Sequence, residues 1–316
     1  MDYELLVGDC REELPKLDES SVDSVVTDPP YELGFMGKKW DGTGVAFSPE
    51  TWKAVLRVLK PGGYLLAFGG TRTEHRMTCA IEDAGFIIQD KLCWLYGTGF
   101  PKGKTQLKPA YEPIVMAYKP GKRVINVEES RIAGGSYPLN TYVAGPRFAP
   151  GVEAPKNDPY TTRQSIGRWP ANVILDEAAA AELDAQSGET QSPGRITRGD
   201  NRASHSGGFA MGRSENVLVP SDFGGASRFF YVAKASSAER GKGNTHPTIK
   251  PIALMEHLIK LVTPADGIAL DPFAGSGSTL IAALRLERRA IGIEQSPEYA
   301  EIIRARIRAE APMLGL

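Results

Sequence analysis

The chain has 316 residues, 41% hydrophobic and 24% charged, enough for one large α/β domain with an insertion or for two smaller domains. No apolar run approaches the roughly 20 residues that span a bilayer, and the start, MDYELLVGDC, lacks the basic head and long greasy segment of a signal peptide. Lys and Arg number 37 and Asp and Glu 38, so the net charge of −1 names no partner. Cys10, Cys79 and Cys93 form no CxxC pair and no metal spacing, which fits a reducing cytosol.

In chain order, Tyr3 to Val7 and Val22 to Thr27 read as short strands. Ser48 caps a helix with Pro49 at its first position, running through WKAVLRVLK. Lys60-Pro61-Gly62-Gly63 is expected to turn the chain into the strand YLLAFGG. An amphipathic helix over about Thr73 to Ala84 and the strand FIIQDKLCWLY follow. From about Gly97 to Gly243 the chain is rich in Gly, Pro, Ser, Arg and Asn, and only EPIVMAY, ANVILDEAAAAELDAQ and RFFYVAK look ordered. Between Lys91 and Pro170 stand 12 basic and 5 acidic residues, a surplus of +7 against −8 in the remainder. That asymmetry fits an anionic partner such as nucleic acid, and equally a solvated loop-rich face. Regular structure returns with a helix over Pro251 to Val262, whose Ile252, Met255, Leu258, Ile259 and Val262 share one face. GIALD is a buried strand, STLIAALRLE a helix and AIGIE a strand, and Ser296-Pro297 opens a final helix. Alternating strands and helices predict an α/β fold with a mostly parallel sheet covered on both faces. The expected division is 1–96 with 244–316 as one domain and 97–243 as a loop-rich insertion with some core elements.

Two motifs carry chemistry. Asp28-Pro29-Pro30-Tyr31 ends a buried strand; alone it also fits a stiff exit turn. LDPFAGSGSTLIAAL places Asp271, Pro272, Phe273, Ala274, Gly275, Ser276 and Gly277 between a strand and a helix. Glycines let a ligand approach the backbone, and a helix start offers free N–H groups. Glu294, nineteen residues after Gly275, closes the next strand, where a carboxylate can accept from both hydroxyls of a ribose. A P-loop needs a lysine that is absent here, and a GxGxxG dinucleotide fingerprint fails at Leu280. A weakened dinucleotide site, an S-adenosylmethionine site and a plain tight turn remain.

Together, DPPY early and DPFAGSGST late resemble the β-class DNA amino-methyltransferases, which methylate the exocyclic amine of adenine or cytosine. In related enzymes acting on protein or ribosomal RNA the cofactor glycines usually come first; here the catalytic motif does. THPTIKP also resembles a family element, which implies cofactor contacts from His246, Thr248 and Lys250, the last two holding the methionine carboxylate. LLVGDCREEL resembles the segment in which Asp9 accepts from the adenine amine and Cys10 supplies backbone. Read without the resemblance, Asp9 is an ordinary helix cap and His246-Pro247 a rigid turn. The resemblance implies a Rossmann-like S-adenosylmethionine-dependent methyltransferase fold, with a target-recognition region in the insertion.

The chemistry suits DPPY. An aromatic amine is a weak nucleophile because its lone pair is delocalised into the ring. The Asp28 carboxylate and the Pro29 carbonyl, the latter fixed by proline's locked φ, can accept its two hydrogens. Tyr31 would stack on a base flipped from the duplex. In the family aspartate at the first position is typical of adenine enzymes and serine of N4-cytosine enzymes, so Asp28 implies N6-adenine, with N4-cytosine the alternative. Lys38, Lys39 and Trp40 are expected in a lid touching phosphate and base, and Lys102, Lys104 and Arg168 in phosphate contacts. Double-stranded DNA is the implied partner and no metal is implied. The resemblance leaves monomer and homodimer open and is compatible with a separately encoded restriction endonuclease. An inactive DNA-binding module and a nicotinamide-dependent oxidoreductase are the competing readings. The first needs damage at Asp28, Lys250 or Gly275 that is not seen, and the second a third glycine that is missing.

Overall fold

A computed structural model of the chain describes residues 3–34, 41–99, 107–122, 125–138, 164–192, 195–197, 217–219, 222–234 and 249–310. Nine strands form one sheet: β1 (Tyr3–Val7), β2 (Val22–Thr27), β3 (Leu59–Phe68), β4 (Ile87–Leu95), β5 (Tyr111–Tyr118), β6 (Val173–Asp176), β7 (Tyr231–Ala233), β8 (Ile268–Asp271) and β9 (Arg289–Glu294). Their spatial order is β1-β9-β8-β2-β3-β5-β4-β6-β7. Only β5 runs against its neighbours β3 and β4; every other pair is parallel, as the alternating pattern predicts.

Both faces of the sheet are apolar, and the two-residue period of a strand divides them. On β3, Tyr64, Leu66 and Phe68 pack with helix α5 (Ile252–Val262) and helix α6 (Ser278–Arg285), whereas Leu65 and Ala67 pack with helix α2 (Pro49–Val58) and helix α3 (Glu74–Asp83). All five apolar residues expected on one face of α5 are buried. Ser48 stands at the N-cap of α2 with Pro49 in the first turn, although its hydroxyl makes no capping bond. The four-residue helix α1 (Cys10–Glu13) follows β1. Helix α4 (Glu177–Ser187) follows β6, and helix α7 (Pro297–Glu310) ends the described chain.

The structure corrects one boundary. Lys60-Pro61-Gly62-Gly63 lies inside β3 as an irregularity, where pairing with β2 shifts register between Val22 and Ser24. Gly62 has φ 81°, and a Cβ on Gly63 would stand 2.7 Å from the Asp23 carbonyl, so the glycines permit a bulge where a turn was expected. Three strands between residues 97 and 243 lie in the large sheet: β5, which is EPIVMAY with Tyr111 before it, β6 and β7. Outside the large sheet, the described strands of this region are short antiparallel pairs: Ile132–Pro138 with Gln164–Arg168, Thr190–Ser192 with Asp222–Gly224, and Arg195–Thr197 with Val217–Val219.

Candidate active site

The two motifs end adjacent parallel strands, β2 and β8, so folding brings them to the same carboxyl edge of the sheet, where ligands bind in open α/β folds. Asp271, buried at the end of β8, joins them. Its carboxylate accepts from the Thr27 hydroxyl at 2.6 Å, the Thr279 hydroxyl at 2.5 Å and the Phe273 amide at 3.0 Å. Burial outweighs those donors and pushes the Asp271 carboxyl up to about 6.

Beyond Thr27, two prolines remove amide donors and lock φ. The Tyr31 carbonyl then accepts from the Thr73 hydroxyl at 2.8 Å. Glu32 turns left-handed (φ 55°), and buried Asp41 receives the Glu32 and Leu33 amides at 2.7 and 3.2 Å. Asp41 thus holds the exit of the motif, and its carbonyl also accepts the Gly34 amide at 3.0 Å. Sequence reasoning passed over Asp41, although a lone acid after a glycine-lysine run was visible.

The largest departure concerns Lys250. Its nearly buried ammonium donates to Asp28 Oδ2 at 2.6 Å and to the Tyr31 hydroxyl at 3.3 Å, and pairs with Glu112 Oε2 at 3.1 Å. It lies over the Tyr31 and Phe68 rings, 5.5 and 4.8 Å from their centroids. Burial alone would lower its pKa; Asp28 and Glu112 reverse that and hold it above the usual lysine range. Lys250 was expected on the cofactor carboxylate. Its ammonium instead pairs with Asp28 and Glu112 on the wall of the cavity. Glu112 also accepts from the Tyr31 hydroxyl at 2.8 Å. The Tyr31 phenol, raised well above its ordinary range by burial and by both carboxylates, stays a neutral donor.

A cavity of about 800 Å³ runs from Asp9 and Cys10, past Gly275 and Glu294, to Asp28 and Tyr31. Every described residue of the expected catalytic and cofactor set lines it except Gly277. Gly277 serves packing: its φ is 81°, and a Cβ there would meet Ile303 of α7 at 2.9 Å. Gly275, at φ 54°, donates its amide to Glu294 Oε2 at 2.8 Å, and Ser296 donates to Oε1 at 2.8 Å. Burial nevertheless pushes the Glu294 carboxyl up to about 7. Asp9 is the N-cap of α1, binds the Arg11 amide at 2.9 Å and also lines the cavity. The buried Cys10 thiol, pushed up to about 12, is no nucleophile. Two further atoms of cavity-lining residues, Asp28 Oδ1 and Trp94 Nε1, are buried without a hydrogen-bond partner.

His246, Thr248, Lys38, Lys39, Trp40, Lys102 and Lys104 lie outside the described residues. Arg168 is described, and it is no free phosphate contact. It is 6% exposed, donates to the Ala133 and Arg228 carbonyls at 2.9 and 2.7 Å, and pairs with Asp222. No group of three or more potential metal ligands occurs among the described residues, and no helix among them is long and apolar enough to cross a membrane.

A family model described as DNA methylase (N6_N4_Mtase) matches residues 22–305. The chain belongs to this DNA methylase family. Curated relatives of this methylase include the type II methyltransferase M.HpaI of Haemophilus parainfluenzae, 26% identical over 98% of this chain and 76% of that one. M.HindIII of Haemophilus influenzae is 26% identical over 90% of this chain and 88% of its own. Among solved structures, PvuII DNA methyltransferase, described as cytosine-N4-specific, superposes with a TM-score of 0.57 at 18% identity, covering 97% and 86% of the two chains. The Thermus thermophilus protein TTHA0409, solved with S-adenosyl-L-methionine, gives 0.53 at 22% identity, over 98% and 95%. At these identities the superpositions establish the shared fold of the methylase.

Proposed function

We propose that this DNA methylase transfers a methyl group from S-adenosylmethionine to the N6 amine of adenine in double-stranded DNA, with the target base flipped into the cavity. The observation that carries the reading is the junction of DPPY and the glycine turn in one cavity, with an orphaned Asp28 oxygen at its catalytic end. The residues present suit the cofactor: Glu294 can accept from ribose hydroxyls, Asp9 from an adenine amine, and the turn at Gly275 brings backbone close. When bound, S-adenosylmethionine supplies an electrophilic methyl on a positively charged sulfur.

The chain does the rest by placement. Asp28 and the Pro29 carbonyl accept the two amine hydrogens and free the lone pair for in-line attack. The Tyr31 ring stacks on the base while its hydroxyl, held by Glu112, anchors the tip of the side chain. The unpartnered Trp94 indole N–H is the complementary donor for a ring nitrogen of the base. Aspartate at the first motif position favours adenine. N4-cytosine is the second reading, supported by the cytosine specificity stated for PvuII methyltransferase.

The test is transfer from labelled S-adenosylmethionine to unmethylated genomic DNA, followed by digestion and mass spectrometry of the nucleosides. Labelled N6-methyladenine is expected, reduced by about 10²-fold or more in Asp28→Ala. Labelled N4-methylcytosine keeps the mechanism and overturns the base. No labelled nucleoside overturns DNA as the acceptor.

A further inference from the structure

Glu112 belongs to neither motif and enters the site only because β5 pairs with β3 and β4. It stands opposite Trp94 across the β4–β5 ladder, on a strand whose next five residues, 113 to 117, are buried. A carboxylate at the head of such a strand needs partners, and it has two, the Tyr31 hydroxyl at 2.8 Å and Lys250 Nζ at 3.1 Å. Both partners also touch or flank Asp28, whose Oδ2 is 2.6 Å from the same ammonium. Lys250, contributed from the start of α5, is therefore shared between two carboxylates at the catalytic end of the cavity.

We propose that Glu112 is a positioning residue for methyl transfer: it holds Lys250 and Tyr31 against Asp28 and keeps the local charge one unit negative. With a single carboxylate the ammonium would pair wholly with Asp28, cancelling its charge and competing with the target amine for its oxygens. With two carboxylates and one ammonium, a net negative charge stays beside the reacting atoms. That charge matters because positive charge migrates during the step. The amine lone pair forms the N–C bond while the C–S pair stays with sulfur, and one amine proton then leaves, by way of Asp28, to solvent. A fixed negative charge near the nitrogen favours that migration.

This inference rests on the methyl-transfer reading above, and one of its tests does not depend on DNA. Glu112→Gln keeps the shape of the side chain and its bond to the Tyr31 hydroxyl, but removes the charge. Calorimetric titration with S-adenosylmethionine and with neutral S-adenosylhomocysteine measures the preference for the cationic ligand. The Gln variant is expected to reduce that preference several-fold, whereas a merely structural role would weaken both ligands alike. The single-turnover methylation rate at saturating cofactor and DNA is expected to fall by about 10²-fold, with the DNA KM changed little and partial recovery in Glu112→Asp. A rate within threefold of wild type, or an unchanged ligand preference, overturns the proposal. If the wild type methylates no DNA, the acceptor reading fails in the wild type itself, and the ligand preference still decides the role of Glu112.

Discussion

At Glu294 burial and function pull in opposite directions. The carboxyl titrates at about 7 because burial disfavours its charge, yet accepting from two ribose hydroxyls suits the ionised form best. Cofactor binding to the ionised form must draw the proton off below that pH. Affinity for S-adenosylmethionine is therefore expected to rise with pH up to about 7 and level off above it, and Glu294→Gln should bind more weakly and lose the slope. Titration calorimetry between pH 5.5 and 8.5 measures both, and a flat wild-type profile would remove Glu294 from the ribose site. Residues of this kind were legible because their motifs are local: a strand end, a turn and a fixed offset along the chain. Glu112 was not, since its role comes from a strand pairing that no short window contains. The available signal was an acid at the head of an apolar strand, EPIVMAY, which a buried strand tolerates only with a partner.

Between elements, the Asp271 carboxylate ties the carboxyl ends of the paired strands β2 and β8. Asp271 takes the Thr27 and Thr279 hydroxyls, so it fixes the exit of the catalytic strand and the first turn of α6 relative to each other. Asp271→Ala leaves two buried hydroxyls without their acceptor. Urea unfolding should show a loss on the order of 3 kcal/mol, and a loss below about 1 kcal/mol would mean that the hydroxyls find other partners. The sign of the pH effect follows from the raised carboxyl. A folded-state value of about 6 means that this group's contribution is fully present in acid and declines as pH rises through about 6, so the deficit of the variant should be larger at pH 4 than at pH 8. The hydroxyl bonds could not be read from the sequence, because 244 residues separate Thr27 from Asp271. Most strands and helices of the large sheet could, unlike the short antiparallel pairs between residues 132 and 224. Pro-Gly-Gly at 61–63 has turn chemistry, yet pairing along β2 and β5 carries the strand through it, and the glycines absorb the irregularity.

For the whole molecule, the question is how the inserted region is held to the catalytic core. Its composition alone suggested loops with free basic side chains, and Arg168 was counted among the DNA contacts on that basis. Composition reports charge but not commitment. The Arg168 guanidinium reaches the Ala133 carbonyl in one segment and Asp222 and the Arg228 carbonyl in another, while Arg228 itself binds the carbonyls of Gly224 and Gly225, both at 2.6 Å. The Asp222 carboxyl is held below its usual range, chiefly by Arg168. Removing Arg168 takes a donor from two carbonyls and one of two cations from Asp222, which keeps Arg228 at 3.2 Å, a loss on the order of 2 kcal/mol. Arg168→Ala should therefore lower the thermal midpoint. The salt dependence of DNA binding separates this from a phosphate contact, because losing one phosphate contact changes the slope of log K against log salt by about 1. An unchanged slope with reduced stability is the expected result. A slope lowered by about 1, with stability intact, would put Arg168 back on the DNA and make its contact with Asp222 a resting arrangement of the free protein.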